Sequence, residues 1–287
     1  MSQSRNITGK TDVYAILGHP VEHSLSPAMQ NAEFERLGID SIYIPAPVHP
    51  DNLEMSLKGM VAAGVVGFNV TIPHKQAVMP FLDEISDDAA LVGAVNTIKV
   101  ENGRLLGFNT DIDGWIRDIQ EDILLERSSV CIVGAGGAAR AIAVGALKSG
   151  ASRLFVCGRN AETVRPFAEE LKSRMPEADI QWNTLEAPEC ADQIAACHIV
   201  VNATPVGMES NPGTPIPAEW LNEDQYYYDT IYVPAETELM RGAQQKGCSV
   251  RGGLGMLAYQ GAVAFEIWTG IEPDVDRMKS TLKRLLP

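Results

Sequence analysis

The sequence predicts an α/β protein in two lobes, an N-terminal α/β lobe with a mainly parallel sheet followed by a Rossmann dinucleotide-binding lobe. Three observations carry that expectation. Strand-like and helix-like segments alternate through most of the 287 residues, as they do when βαβ units build a mainly parallel sheet. A chain of this length holds about two domains. A glycine-rich turn at Gly134 lies between a short apolar run and a helical one, where a dinucleotide-binding lobe carries its phosphate loop. With 45% hydrophobic and 21% charged residues, the chain has the apolar content to bury a core.

Residues 13–17 read as a strand, broken by Gly18-His19-Pro20. Ser26 before Pro27 reads as an N-cap with proline at the first helical position. A helix then covers residues 28–37 and ends at Gly38. A second strand covers residues 41–44, a second helix residues 52–63 up to Gly64, and a third strand residues 65–72, stopped by Pro73. Residues 96–100 and 104–108 form a hairpin around Glu101-Asn102-Gly103. A new unit begins after Asp111, with a linking helix over 113–123, an apolar strand over 130–133, and a helix running from the glycine turn to Lys148. A strand over 153–157, a helix over 162–174 and strands over 199–202 and 226–231 follow. After Gly252-Gly253 the last helices cover 256–268 and 274–285. The expected domains are therefore 1–111, completed by 254–287, and 112–253.

The chain holds 37 acidic residues against 23 Lys and Arg, a net charge of −14. Nucleic-acid binding needs basic surface to displace counterions from phosphates, and docking on anionic membranes needs the same, so neither partner is expected. The charge also has a second consequence: an anionic ligand approaches against the overall field. The five cysteines are widely spaced with no C-x-x-C pair, which predicts reduced, buried thiols. The five histidines show no metal-ligand spacing, and no metal is expected. Residues 1–12 are polar and lack the apolar core, about 7–15 residues long, of a signal peptide. No run of about 18 apolar residues is present. The expectation is a cytoplasmic protein acting on a small molecule, its oligomeric state open with a homodimer as one candidate.

Gly134-Ala135-Gly136-Gly137-Ala138-Ala139 fits G-x-G-x-x-[GA] between strand and helix. Glycines permit the tight turn and close approach of a pyrophosphate, and the helix start offers free amides at the positive end of its dipole. A mere tight turn is the plainer alternative. At the next strand end an Asp or Glu would grip the ribose hydroxyls of NAD, but the chain reads Gly158-Arg159-Asn160. Arg159 suits a 2′-phosphate, so NADP is favoured and NAD stays open. Asn202-Ala203-Thr204-Pro205 follows a further strand and is placed to line the nicotinamide side, or else is a plain strand-to-loop turn.

A nicotinamide enzyme also needs proton donors and acceptors beside the reacting carbon. His23-Ser24-Leu25-Ser26-Pro27 sets two hydroxyls at a helix start, a carboxylate cradle; a simple cap by Ser26 is the alternative. Asn69-Val70-Thr71-Ile72-Pro73-His74-Lys75 closes the third strand, and Lys75 is the general acid–base candidate. Asp111, in Asn109-Thr110-Asp111, can hold Lys75 and a substrate hydroxyl, or cap the following helix.

Together these stretches resemble the shikimate dehydrogenase family, with its quinate/shikimate members. The similarity is an ordered series over nearly the whole chain: H-S-L-S-P at 23–27, V-T-I-P-H-K at 70–75, G-A-V-N-T at 93–97, G-F-N-T-D at 107–111, G-A-G-G-A-A-R at 134–140, N-A-T-P at 202–205 and G-L-G-M-L-A-Y-Q at 253–260. The resemblance implies reversible, NADP-linked reduction of 3-dehydroshikimate to shikimate in aromatic amino acid biosynthesis. Substrate would lie across a cleft between the lobes, with the last helices returning to the first lobe. It also implies roles by position. Ser24 and Ser26 would bind the substrate carboxylate, helped by Tyr232. Thr71, Asn96, Asp111 and Gln260 would hold ring hydroxyls, and Lys75 would shuttle the proton with Asp111 beside it. Gly134, Ala135, Gly136, Gly137 and Ala138 would take the pyrophosphate, with Gly158, Arg159 and Asn160 at the adenosine end. Thr204, Thr230 and Gly253 would line the nicotinamide pocket, and Asp87 would stand near the cofactor. Family members that prefer NADP often carry N-R-T or N-R-S where this chain has Gly158-Arg159-Asn160, so cofactor choice stays open, as does quinate. A non-catalytic ligand-sensing module of the same fold is the alternative from another class. A methylene-tetrahydrofolate dehydrogenase of similar layout is disfavoured by the H-S-L-S-P cradle and the Gln260 motif.

Overall fold

The computed structural model describes residues 7–286, so half of the polar segment read for a signal lies outside the described residues. The elements run β1 (Asp12–Gly18), α1 (Ser26–Leu37), β2 (Ser41–Pro47), α2 (Leu53–Ala62), β3 (Val65–Val70), α3 (His74–Ala77), β4 (Glu84–Ile85), α4 (Asp87–Val92), β5 (Thr97–Glu101) and β6 (Arg104–Phe108). There follow α5 (Asp111–Ile119), β7 (Ser129–Val133), α6 (Gly137–Lys148), β8 (Arg153–Gly158), α7 (Ala161–Arg174), β9 (Ile180–Thr184), α8 (Cys190–Ala195) and β10 (Ile199–Asn202). The chain ends with β11 (Tyr226–Asp229), α9 (Glu238–Gln245), β12 (Ser249–Gly252), α10 (Leu254–Thr269) and α11 (Val275–Lys283). No described helix is long and apolar enough to cross a membrane.

The chain divides into two compact units, Met1–Thr110 with Gly261–Leu285, and Asp111–Gln260. These boundaries differ from those expected at 111/112 and 253/254, for a packing reason. Asp111 opens a helix whose Trp115 and Ile116 lie against Gly145 of α6, so it belongs with the second unit. Residues 254–260 pack on that same helix: a Cβ on Gly114 would stand 2.7 Å from the Cβ of Gln260 and 3.0 Å from the Met256 carbonyl oxygen.

In the first unit the strand order is β2-β1-β3-β5-β6-β4. Strands β1, β2 and β3 are parallel, and β5 runs antiparallel between β3 and β6. Both faces are buried, so β1 is a continuous apolar run rather than an alternating one. Ala15 and Leu17 face a core with Leu53, Leu57, Phe68 and Ile98. Tyr14 and Ile16 face the other way, onto Phe34 of α1 and Phe265 and Trp268 of α10. The β5–β6 turn forms at Asn102 and Gly103, with φ of 52° and 78°, the two positive values that a two-residue hairpin turn demands. Strand β2 lies at the sheet edge, and the Asn31 side chain of α1 covers part of it. Its amide donates to the Tyr43 carbonyl at 2.7 Å and its Oδ1 accepts from Tyr43 N at 3.0 Å.

The second unit holds six parallel strands in the order β12-β11-β10-β7-β8-β9. The chain goes from β7 outward through β8 to β9, then returns to β10 on the other side of β7. That reversal is the place where open α/β sheets bind ligands, at the carboxyl ends of the strands. A cluster of charge fixes one flank. Arg251 of β12 donates to Asp118 Oδ1 at 2.6 Å, Glu121 at 2.5 Å and Asp122 at 2.7 Å. Tyr228 and Tyr226 donate to Asp118 and Asp122 at 2.6 and 2.5 Å, and Tyr259 of α10 donates to Glu121 at 2.6 Å. Asp118 is fully buried. Burial alone would lower the Arg251 pKa, but the three carboxylates hold it above its ordinary value. Removing one partner of a buried pair leaves the other charge uncompensated. Arg251→Met is therefore expected to cost roughly 3–5 kcal/mol, read from the denaturant unfolding of the second unit, with Arg251→Met/Asp118→Leu recovering part of the loss. An unchanged midpoint for the single variant would contradict this.

Candidate active site

In the first unit β1, β3 and β6 end at one edge, and antiparallel β5 begins there. The β1–β3 ladder continues past the strands, with Thr71 N donating to the Leu17 carbonyl at 2.9 Å and His19 N to the Ile72 carbonyl at 3.0 Å. This edge carries a buried polar knot. Tyr43 OH donates to Asn69 Oδ1 at 2.7 Å, and Asn69 Nδ2 donates to the Asn96 carbonyl at 3.1 Å and to Thr97 Oγ1 at 3.0 Å. Asn96 Oδ1 accepts from Thr110 N at 2.8 Å, and its Nδ2 donates to Thr110 Oγ1 at 3.0 Å. Buried polar atoms need such partners, and here the partners hold the ends of β3, β5 and β6 together.

Thr71, Lys75 and Asn96 come together around this knot. Lys75 is the second residue of α3 and partly buried, and its carbonyl accepts from Val95 N at 2.8 Å, which ties α3 to the residue before Asn96. His74 is buried, and its Nε2 donates to the Val48 carbonyl at 2.7 Å. Ser24 and Ser26 follow β1 at the same edge. The capping expected of Ser26 is not found. Leu25 is the N-cap residue and no side chain caps the helix, because Ser26 is already the first helical residue. Its N–H instead meets Ser24 Oγ at 3.3 Å. The third strand also stops at Val70, two residues short of the expected end, because Thr71 turns into α3 through His74 N donating to the Thr71 carbonyl at 2.8 Å.

The second unit holds Asp111, Tyr232, Gln260 and, apart from Asp87, every residue assigned to the cofactor. Asp111 is buried in the acidic first turn of α5 with Asp113, where carboxylates complement the helix dipole. Gln260 Nε2 donates to the Leu257 carbonyl at 2.8 Å. Tyr232 is half-buried, and burial raises its phenol pKa.

The glycine turn fits a pyrophosphate. Gly134 has φ of 122°, and a Cβ there would meet the Ala203 carbonyl oxygen at 2.9 Å. A Cβ on Gly136 would meet nothing within 4 Å, so the turn opens onto space at the start of the 12-residue α6. At the end of β8, Gly158 leaves no room for a side chain, since a Cβ would lie 2.8 Å from Val164. Arg159 and Asn160 beyond it are exposed. Asn160 caps α7, accepting from Glu162 N at 2.8 Å. Arg140, also in the glycine motif, is engaged elsewhere: it pairs with Glu170 at 2.7 Å and lies over Phe167 at 4.9 Å. The exposed cation at this strand end is Arg159. Gly253 is required by contact, since a Cβ there would lie 2.2 Å from the Thr230 carbonyl oxygen, so Thr230 and Gly253 adjoin. Gly134 likewise brings Thr204 within reach, its Cγ2 standing 3.1 Å from a Cβ at Gly134. Asp87 begins α4 in the first unit, behind a Ser86 cap.

Several residues of structural weight had no individual role in the sequence reading: Asn69, Asp229 and the Asp118–Arg251 cluster, while Asn202 was read only as part of the segment lining the nicotinamide side. Asn202 and Asp229 each end an otherwise apolar strand, and that polar terminus was the available signal.

Comparison with known proteins bears on the same residues. The family description "Shikimate dehydrogenase substrate binding domain" matches residues 16–98. "Shikimate 5'-dehydrogenase C-terminal domain" matches 253–283, and "NADP oxidoreductase coenzyme F420-dependent" matches 129–208. The chain is 43% identical over 282 residues to shikimate dehydrogenase (NADP(+)) of Methanothermobacter thermautotrophicus, covering 98% of this chain and 99% of that one. Among solved structures, a shikimate dehydrogenase in complex with NADP+ shares 41% identity at a TM-score of 0.92, covering 98% of each chain. Quinate dehydrogenase from Corynebacterium glutamicum in complex with NAD shares 33% at 0.88, covering 96% of this chain and 99% of that one. With this identity over nearly the full length, the chain belongs to the shikimate dehydrogenase family.

Proposed function

We infer that this protein interconverts shikimate and 3-dehydroshikimate with NADP. The observation that carries the reading is the 43% identity over nearly the full length to a relative named for that reaction. The placement of the family motifs at the carboxyl ends of two sheets supports it. The glycine turn, with its positive φ at Gly134 and open space at Gly136, suits a dinucleotide held by Gly134, Ala135, Gly136, Gly137 and Ala138. When bound, the nicotinamide supplies or takes up the hydride.

The chain's own residues do the rest. Ser24 and Ser26 donate to the substrate carboxylate, and Tyr232 adds a third hydroxyl. Thr71, Asn96, Asp111 and Gln260 hold the ring hydroxyls. Lys75 Nζ donates a proton to the carbonyl oxygen as it becomes a hydroxyl, and takes it back in the reverse direction; the family resemblance gives Asp111 a part in the same step. Arg159 binds the 2′-phosphate beside Gly158 and Asn160, and Thr204, Thr230 and Gly253 line the nicotinamide side. Five buried free thiols suit a reducing compartment, and we place the protein in the cytoplasm.

The deciding assay follows reduced cofactor formed from shikimate and from quinate, each with NADP+ and NAD+. Turnover is expected chiefly with shikimate and NADP+. Preference for quinate and NAD+ would move the assignment toward the quinate relative, and no turnover in any combination would leave a ligand-sensing role. Lys75→Ala is expected to lower kcat by about two to four orders of magnitude while shikimate binding, measured by calorimetry, stays within about threefold. Loss of binding at unchanged kcat would give Lys75 a binding role only. Arg159→Ala is expected to raise KM for NADPH about tenfold or more, the loss of one charge-assisted contact, and to leave KM for NADH nearly unchanged. Equal effects on both would remove Arg159 as the phosphate clamp.

A further inference from the structure

At the carboxyl end of β11 a single side chain organises most of the loops on the proposed nicotinamide side. Asp229 is fully buried and accepts four hydrogen bonds, all from neutral donors. Oδ1 takes Asn202 Nδ2 at 3.1 Å and Ile231 N at 3.0 Å. Oδ2 takes Tyr227 OH at 2.9 Å and Thr237 Oγ1 at 2.8 Å. Burial pushes its carboxyl pKa up, and these four donors pull it back.

The two oxygens face different structures. On the Oδ2 side, Thr237 is the N-cap of α9, where its hydroxyl also accepts from Met240 N at 3.2 Å. That side anchors a helix. On the Oδ1 side, Asn202 relays the contact. Its own Oδ1 accepts from Thr204 N at 3.0 Å and Thr204 Oγ1 at 2.7 Å, and its Nδ2 also donates to the Val206 carbonyl at 3.1 Å. Ile231, the other Oδ1 donor, stands between Thr230 and Tyr232, and its carbonyl accepts from Gly253 N at 3.0 Å. Thr204, Thr230 and Gly253 therefore all depend on one carboxylate oxygen, through one intermediate residue each or through the adjoining backbone.

We propose that Asp229 is a positioning residue for the nicotinamide half of the cofactor, acting through Asn202 on the Thr204 loop and through Ile231 on Thr230 and Gly253. The proposal rests on the dehydrogenase reading above. It makes a distinction that general stabilisation does not: losing the Oδ1 acceptor should disturb the nicotinamide end and spare the adenosine end, where Gly158 ends β8 and Arg159 and Asn160 lead into α7.

The test measures calorimetric Kd for NADP+ and for adenosine 2′,5′-bisphosphate, which lacks the nicotinamide half, together with KM for shikimate at saturating NADP+. Asp229→Ala is expected to weaken NADP+ about tenfold or more, since buried donors lose their acceptor, while the bisphosphate stays within about twofold. Asp229→Asn keeps an oxygen for Asn202 and Ile231, and the hydroxyls of Tyr227 and Thr237 can turn to accept from its amide. It is expected to bind NADP+ within about threefold of the unsubstituted protein. Thr237→Val, which keeps the side chain's shape and removes only the hydroxyl on Oδ2 and the helix cap, is expected to lower thermal stability and leave NADP+ affinity unchanged. Should Asp229→Ala fail to fold, Asn202→Ala breaks the relay with the carboxylate intact and is expected to weaken NADP+ selectively in the same way. The proposal is overturned if Asp229→Ala, or Asn202→Ala in its place, binds NADP+ normally or loses both ligands equally, or if Thr237→Val weakens NADP+ as much. If the unsubstituted protein binds neither ligand, the dehydrogenase reading itself has failed.

Discussion

Where parallel strands stop, their last amides and carbonyls lose the ladder, and whatever loop follows must be tied down by other donors and acceptors. Each sheet solves this with buried polar side chains. In the first unit Asn69 and Asn96 knit the ends of β3, β5 and β6 to Tyr43, Thr97 and Thr110. In the second, Asn202 and Asp229 do so for β10 and β11. Several residues assigned to ligands lie next to these knots, just past strand ends: Thr71 follows β3, with Lys75 in the short helix after it, Thr204 follows β10, and Thr230 follows β11. A fully satisfied buried polar network specifies one arrangement, because leaving any member unpaired is costly. The knots thereby convert strand ends into fixed platforms.

Fixed donors matter here because the long-range field does not help. The net charge is −14, and the acidic excess lies in both the first 111 residues and the segment 112–253, so neither unit offers a basic funnel. The proposed ligands are anions. On the proposed assignment their recognition falls to short-range groups: the hydroxyls of Ser24, Ser26 and Tyr232, the amides of the Gly134 turn, and the charges of Lys75 and Arg159. Arg140 and Arg251 add little to this, since Arg140 pairs with Glu170 and Arg251 with three carboxylates.

Much of the fold was legible because backbone constraints are local. Gly38, Gly64 and the Asn102-Gly103 pair all take positive φ, and each marked the end of an element or a turn in the sequence. The parallel strands read as apolar runs because both their faces are covered. Strand β9, with Gln181 and Asn183 among half-buried neighbours, carried too weak a pattern at the sheet edge. Strand β12 was hidden because Arg251 looks like a loop residue until the acids at 118, 121 and 122, 129 to 133 residues away in sequence, are seen to neutralise it. The residues proposed for the ligands were legible as an ordered set of motifs. The residues that hold them, Asn202 and Asp229 above all, were not, because their partners come from distant strands and only the fold brings them together.

The claim that fixed local donors, rather than the protein's field, recognise the anionic substrate is tested most directly by the ionic-strength dependence of kcat/KM for shikimate. Between low and physiological salt, kcat/KM is expected to stay flat or to rise as salt screens the repulsion from a net charge of −14. A steep fall with added salt, the mark of attractive steering, would contradict the account.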